Sequence, residues 1–229
     1  MTDQIPQTNI AVPWLENGDR LTRKEFEHRY THMPHLKKAE LIEGVVYLPA
    51  ALRYRHHSRP HAATLFWLGS YEASTPGVEA ASNPTIRLDP DNEPQPDALL
   101  RIQHECGGQS FISDDDYLEG APELIVEIAA SSASYDLYDK LNAYRRNGVQ
   151  EYLVWLVQDR EFRWYQLKNE RYILQTPNAE GVLASLLFPG LWLDEAALLT
   201  GDLATVLETL QKGIATSEHH TFVQQLQSE

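Results

Sequence analysis

The chain contains a single cysteine, Cys106, among its 229 residues. One cysteine excludes an internal disulfide framework and a zinc site built from several thiolates. The sequence also has no run of about 18 apolar residues, the length that a membrane-spanning helix needs. Its first twenty residues have no basic segment followed by an apolar one, which is unlike a signal peptide. We therefore expect a cytoplasmic protein that is not embedded in a membrane.

Positive charge is scarce, because 19 Lys and Arg residues face 33 Asp and Glu residues and give a formal net charge of −14. This balance argues against strong nonspecific binding of nucleic acid, since phosphate contacts require concentrated Lys and Arg. The one dense basic cluster is RYRHHSRPH, from Arg53 to His61. It is either a solvated loop that leads into a helix or, through His57 and Arg59, a contact for a substrate phosphate.

The distribution of apolar residues predicts an α/β or α+β fold with a mixed sheet. A strand at 123–129, a helix at 135–147 and a strand at 151–157 have the lengths of a crossover unit. The other predicted elements are a helix at 23–30, a strand at 40–48 with a kink or turn at Gly44, a helix at 58–72, short strands at 77–81, 84–88 and 97–102, a hairpin at 162–167 and 172–175, and a C-terminal helix from Asp202. We divide the chain into an irregular arm (1–20), one domain (21–195) and a C-terminal helical extension (196–229).

Two carboxylates and one lysine stand out in this arrangement. Glu127 interrupts the apolar strand ELIVEIAA, and an unpaired ionised group there costs several kcal/mol or shifts its pKa. Asp97 follows Pro96 in QPDALL, and Lys140 lies in the helix after the Glu127 strand. Two carboxylates suit Mg²⁺, which proteins bind through one or two acids and several waters. With Lys140 orienting the attacking water, such a site suits phosphodiester hydrolysis.

Lys140, Asp97 and two histidines also have simpler interpretations. Asp136 lies one turn before Lys140, so the two could form an ordinary i,i+4 salt bridge. Asp97 could merely cap a turn. His57 and His61 have the spacing of two metal ligands on one helix face, but no third ligand is visible at a suitable spacing, which disfavours a zinc site.

Four segments resemble the Uma-two family of restriction-endonuclease-like proteins, part of the PD-(D/E)xK nuclease superfamily. They are ELIEG, RHHSRPHAATL, QPDALL and PELIVEIAASSASYDLYDKLNAYRRNGVQEYLVW. The resemblance covers roughly residues 20–195. It implies a restriction-endonuclease-like mixed sheet flanked by helices, to which this chain adds a hairpin and a C-terminal helix. It further implies a site in which Asp97 and Glu127 bind Mg²⁺, with Mn²⁺ able to substitute, and a homodimer.

The chain departs from the superfamily pattern at one important position. The lysine of the ExK motif should follow Glu127 by two residues, but Ala129 stands there. The resemblance implies that the lysine has moved to the following helix as Lys140. It also implies a first-motif acid, either Glu40 or Glu43. These two point to opposite faces of an ideal strand, and we favour Glu40.

Three functional hypotheses follow. The first is a Mg²⁺-dependent endonuclease acting on DNA, with Glu40, Asp97, Glu127 and Lys140 as catalytic residues. The second is a catalytically silent nuclease fold that acts as a partner-binding or regulatory module, which the negative charge favours. The third is a phosphohydrolase of small substrates with the same metal site. Aromatic-rich segments at 152–165 and 186–193 could form a dimer interface or fill the core.

Overall fold

A computed structural model describes residues 12–49, 51–130 and 132–228. The first eleven residues of the predicted arm therefore lie outside the described residues. The helices are α1 (Arg23–Thr31), α2 (Arg59–Glu72), α3 (Ala133–Asp136), α4 (Asp139–Arg146), α5 (Glu195–Thr200), α6 (Leu203–Ile214) and α7 (Ser217–Leu226), with a π-helical turn at Tyr54–Ser58 and a 3₁₀ turn at His104–Cys106. The strands are β1 (Glu40–Ile42), β2 (Val45–Tyr47), β3 (Val78–Ser82), β4 (Ile86–Arg87), β5 (Ala98–Ile102), β6 (Phe111–Ile112), β7 (Leu118–Glu119), β8 (Leu124–Ala129), β9 (Glu151–Leu156), β10 (Glu161–Lys168), β11 (Arg171–Leu174), β12 (Val182–Ala184) and β13 (Trp192–Asp194).

The main sheet has six strands in the order β11-β10-β9-β8-β5-β3. Strands β8 and β9 are parallel, and the other neighbours are antiparallel. The parallel pair requires a crossover connection, which α3 and α4 supply. The predicted α/β fold with a mixed sheet flanked by helices is confirmed, and so is the crossover unit.

A short hairpin replaces the predicted long strand at 40–48. Strands β1 and β2 pair antiparallel, with Glu40 opposite Tyr47. Between them Glu43 and Gly44 have positive φ values of 51° and 72°. Two consecutive residues with positive φ form the tight turn that matches the twist of a hairpin. Of the kink or turn expected at Gly44, the structure shows a turn that reverses the chain.

The central strands are buried on both faces because helices and smaller sheets cover both sides. One face of β8 presents Leu124, Val126 and Ile128 to a cluster that includes Trp67 of α2 and Leu210 of α6. Its opposite face presents Ile125 and Ala129 to a second cluster. The side-chain alternation expected for β8 is thus observed, and Glu127 points to the side of the second cluster.

The aromatic-rich segments at 152–165 and 186–193 contribute mainly to the core. Their buried aromatic members are Tyr152, Trp155, Phe162, Trp164 and Phe188. Trp164 packs edge-on against Trp67, with 5.7 Å between ring centroids. Of the two interpretations of these segments, the structure favours core packing over a dimer interface.

The helix predicted at 135–147 is interrupted. Tyr138 has φ −124° and ψ −72°, so α3 ends before it and α4 starts after it. The hydroxyl groups of Tyr152 in β9 and Tyr47 in β2 form hydrogen bonds on either side of this break. The Tyr152 hydroxyl donates to the Asp136 carbonyl at 2.9 Å, and the Tyr47 hydroxyl donates to Asp139 Oδ2 at 3.0 Å. Tertiary hydrogen bonds therefore override the continuous helical pattern.

Within the described ranges, every helix is too short or too polar to cross a lipid bilayer.

Gly213 of α6 provides a test of how tightly the C-terminal helices pack on the domain. A Cβ atom there would lie 2.8 Å from Trp192 Cγ and closer still to the Gly190 carbonyl oxygen. Since backbone cannot move aside cheaply, we expect Gly213→Ala to lower the free energy of unfolding by about 1–3 kcal/mol or more. Urea titration followed by circular dichroism measures this change.

Gly69 of α2 is the matched control, because a Cβ atom there would meet no atom within 4 Å. Gly69→Ala should be neutral or should stabilise the protein by up to about 1 kcal/mol through helix propensity. Equal effects of the two substitutions would show that α6 does not pack on Gly190 in this way.

Candidate active site

Glu127 lies in the middle of β8, and its side chain is only 4% exposed. Its Oε1 atom accepts hydrogen bonds from Lys140 Nζ and from the Tyr144 hydroxyl, both at 2.9 Å. Both donors come from α4, which packs beside the strand because α3 and α4 connect β8 to its parallel neighbour β9. The buried acid thus has the partners that its position in an apolar strand requires.

Lys140 is the centre of the cluster. Its ammonium lies 2.9 Å from Glu127 Oε1, 2.9 Å from Glu40 Oε1 and 3.8 Å from Asp136 Oδ1. Burial alone would lower the pKa of this ammonium, but the surrounding carboxylates raise it well above its ordinary value. Lys140 is therefore a buried cation. The simple i,i+4 contact with Asp136 exists, but as the longest of three contacts.

The β1–β2 hairpin directs the side chains of the two candidates for the first-motif acid to different partners. Glu40 points inward, where Oε1 contacts Lys140 and accepts a hydrogen bond from the Gln95 backbone N–H at 2.8 Å. Glu43 lies in the turn and contacts Arg146 instead, at 3.0 Å. Only Glu40 belongs to the cluster around Lys140.

Asp97 lies next to β8, immediately before β5. Ala98 pairs with Val126, so one further step of the antiparallel register places Asp97 opposite Glu127. Its Oδ2 atom accepts a hydrogen bond from the Ile128 backbone N–H at 2.8 Å. Burial would raise the pKa of Asp97, but the hydrogen bond from His57 and the charge of Lys38 hold it below its ordinary value. Asp97 is thus an ionised acid.

The two histidines of the basic cluster both contact Asp97. His57 Nε2 lies 3.0 Å from Asp97 Oδ1, and His61 Nε2 lies 2.7 Å from the Asp97 carbonyl oxygen. Because a carboxylate and a carbonyl only accept hydrogen bonds, each Nε2 carries the hydrogen. The pair therefore fixes one aspartate rather than holding a zinc ion. Arg59, at the start of α2, is exposed and makes no ion pair within the described ranges.

Negative charge is in excess inside the cluster. Three buried carboxyl groups, those of Glu40, Glu127 and Asp136, surround one buried ammonium. A fourth buried carboxyl group, that of Asp97, lies nearby and contacts Lys38 and His57 instead. Burial raises the pKa of Glu127 despite the nearby Lys140, and Asp136, Asp97 and Glu40 raise it further. Burial likewise raises the pKa of Asp136, which accepts a short hydrogen bond from Ser132. Additional positive charge at this position would stabilise the ionised acids.

The donor set fits a hydrated divalent cation better than an all-protein metal cage. Within the described residues, no group of three or more His, Cys, Asp and Glu side chains is arranged to bind one metal ion. Mg²⁺ does not require such a group, since it retains several waters and binds one or two carboxylates. Asp97 and Glu127, which face each other by strand register, are the two carboxylates that would hold such an ion.

The structure brings together most of the residues predicted from the sequence. Glu40 and Glu127 both contact Lys140, and Asp97 accepts a hydrogen bond from the backbone amide of Ile128, the residue after Glu127. Arg59 makes no contact with this group. Sequence reasoning missed three members of the site: Tyr144, Gln95 and Lys38. The spacing of Tyr144, four residues after Lys140, was a visible signal, whereas nothing local marked Gln95 or Lys38.

Comparison with known proteins concerns the family and the fold of the chain. A family model named Uma2, with the description "Putative restriction endonuclease", matches residues 23–196. Among solved structures, the chain is similar to "a putative nuclease belonging to DUF820" from Anabaena variabilis ATCC 29413. The TM-score is 0.55 at 10% sequence identity, over 80% of this chain and 97% of that chain, so the likeness concerns the fold. Among curated proteins, none matches the chain.

Removing the ammonium should destabilise the protein strongly. Lys140→Met leaves three buried carboxylates without their cation, and we expect a loss of about 3–5 kcal/mol of unfolding free energy. Adding Glu127→Gln removes one of those charges, so the double variant should recover part of the loss. Urea unfolding with EDTA present measures both values.

Lys212→Met is the matched control, since its ammonium pairs with Glu208 at an exposed position. Exposed pairs contribute at most about 1 kcal/mol. If Lys140→Met also costs less than about 1 kcal/mol, the ammonium is not the counterion of the buried acids.

Proposed function

The chain belongs to the Uma2 family, and from this membership we propose that it is a Mg²⁺-dependent endonuclease that hydrolyses phosphodiester bonds in DNA. The observation that carries the proposal is the position of Lys140. Its ammonium reaches Glu127 from a helix, although the ExK position two residues after Glu127 holds Ala129. A lysine and an acid are thus together at the centre of the sheet despite the altered spacing.

Asp97 and Glu127 would hold the metal ion. When bound between them, Mg²⁺ or Mn²⁺ would polarise the phosphate and lower the pKa of a coordinated water. Asp97 suits this role because His57 and Lys38 hold its pKa below the ordinary value, which keeps the carboxylate ionised. The Ile128 amide and His57 Nε2 fix the two oxygens of the carboxylate.

Lys140 acts as a cation in this proposal. Three carboxylates keep its proton on Nζ, so it does not serve as a general base. It orients the attacking water and offsets negative charge on the phosphate as the new bond forms. Glu40 and Asp136 hold the ammonium in place, and the backbone N–H of Gln95 holds Glu40.

His57 and Arg59 complete the proposed site as substrate contacts. His57 adjoins Asp97, and Arg59 lies two residues further along, exposed at the start of α2. A guanidinium there suits a phosphate oxygen of the substrate, because Arg binds phosphate with two parallel hydrogen bonds.

A second candidate function is a catalytically silent nuclease fold that binds a partner. The specific observation in its favour is that protein groups already occupy Glu127 Oε1 and both oxygens of Asp97. Metal binding distinguishes the two candidates, since the silent form has no need of the cation.

We expect metal-dependent cleavage of DNA that requires Lys140. Wild-type protein with Mg²⁺ or Mn²⁺ should cut plasmid or single-stranded DNA, and Lys140→Ala should lose at least about a hundredfold in rate, the effect of removing one aimed electrostatic group. Gel electrophoresis of the products measures the rate. Lys212→Ala, on the exposed face of α6, should cut like wild type.

Because Lys140→Ala also lowers stability, circular dichroism at the assay temperature must show that it is folded. Asp97→Asn serves as a second inactive variant, since it leaves the Lys140 cluster intact. Cutting at wild-type rate by both folded variants would argue for a contaminating nuclease and against the proposal.

We also expect the two acids to control metal binding. Asp97→Ala and Glu127→Ala should each abolish Mn²⁺ binding in isothermal titration calorimetry, because one remaining carboxylate is a poor site for a hydrated cation. Lys140→Ala should keep it, since the ammonium is not a ligand. Glu208→Ala, a mostly exposed acid on α6, is the control. Wild-type affinity in both acid variants would place the metal elsewhere.

A further inference from the structure

The residues on either side of His57 present an exposed surface that takes no part in the proposed binding of the metal ion. We name residues 52–59 the basic turn, because they contain the π-helical turn at Tyr54–Ser58 and the start of α2. We propose that the basic turn binds an unpaired DNA strand, with Tyr54 stacked on a base and the neighbouring arginines on phosphates. This inference rests on the proposed nuclease function, and it names the form of DNA that the site accepts.

The apolar side chains of the basic turn are exposed to an unusual degree. Tyr54 is 72% exposed and Leu52 is 66% exposed. A tyrosine ring in water gains little from the protein around it, and it is free to stack on another planar group. Base–aromatic stacking is the main sequence-tolerant contact of proteins that bind single strands.

The arginines of the basic turn are also without carboxylate partners. Arg53, Arg55 and Arg59 are exposed, and none forms an ion pair with any acid in the part of the chain that the structure describes. This is notable in a chain with 33 acidic and 19 basic residues. By contrast, Arg87 alone contacts three carboxylates. The basic turn therefore keeps a local positive charge that is available for phosphate.

The position of the basic turn is fixed relative to the candidate active site. The His57 and Ser58 amides both donate to the Arg53 carbonyl, at 2.8 and 3.3 Å. His57, three residues after Tyr54 in the same turn, contacts Asp97. Tyr54 thus lies in the same turn as the residue that contacts Asp97, and π-helical turns of this kind are frequent at functional sites.

The charge and burial of the site favour a single strand over a duplex. Duplex binding depends on many phosphate contacts, which a chain of net charge −14 with one basic cluster does not provide. The side chains of Glu40, Glu127 and Lys140 are at most 9% exposed. A flexible single strand can bend toward such recessed groups more readily than a rigid duplex.

The test is binding of a fluorescent 20-nucleotide thymidine oligomer, measured by anisotropy in EDTA so that no cleavage occurs. Wild type should bind it at least tenfold more tightly than a duplex of equal length. Tyr54→Ala should weaken binding about 5- to 150-fold, the loss of one stacked base, whereas Tyr54→Phe should bind nearly as wild type. Replacing Arg53, Arg55 and Arg59 with Gln should lower the slope of log affinity against log salt by about 0.7 per arginine.

Phe111→Ala is the control for a lost exposed aromatic ring. Phe111 is 47% exposed and packs against His104, beyond the end of β5 that is remote from Asp97. It should bind as wild type. Equal affinity for duplex, wild-type binding by Tyr54→Ala, or no binding of the single strand would each overturn the proposal.

The same variants keep this inference separate from the nuclease proposal. Expected binding together with no cleavage in Mg²⁺ or Mn²⁺ would support the basic turn and overturn the nuclease. Metal-dependent cleavage that is equal on single and double strands and unaffected by Tyr54→Ala would support the nuclease and overturn the basic turn.

Discussion

The contact between the Lys140 ammonium and three buried carboxylates is the interaction on which the rest of the site depends. Its acids come from three separate elements: Glu40 from β1, Glu127 from β8 and Asp136 from α3. No single charge in this group is stable in a dry interior, so each is tolerable only because the others are present. The cluster therefore holds the hairpin, the central strand and the crossover helices in one arrangement.

The local pattern of apolar residues in the sequence was sufficient to predict most of the fold. The apolar runs of β8 and β9 and the helical segment between them fixed a parallel crossover unit, and strand alternation placed Glu127 on the face away from Val126. The break at Tyr138 could not be predicted, because no Gly or Pro marks it. It depends on hydroxyl groups of Tyr47 and Tyr152, which are distant in sequence.

The same limit applies to the site. Glu151 is a buried acid at the start of the apolar strand β9, yet Trp164, Ser185 and two backbone amides donate hydrogen bonds to both of its carboxylate oxygens. An acid in a buried strand is thus not by itself a sign of chemistry. What distinguishes Glu127 is a lysine at its side and a second acid immediately before the neighbouring strand, and both the sequence pattern and the resemblance to a nuclease family indicate those partners.

The β1–β2 hairpin belongs to a small core of its own, in which Leu41 and Val46 pack with Phe26 of α1. Lys140 joins this small core to the main sheet through Glu40, so the candidate active site lies at the boundary between two packing units. An ion or substrate that binds at this boundary only when the two packing units are docked stabilises their docking. By linkage, a substitution that loosens the docking of the small core weakens that binding by the same factor. The affinity for a ligand at this site and the cooperativity of folding between the two packing units are therefore coupled through the same free energy.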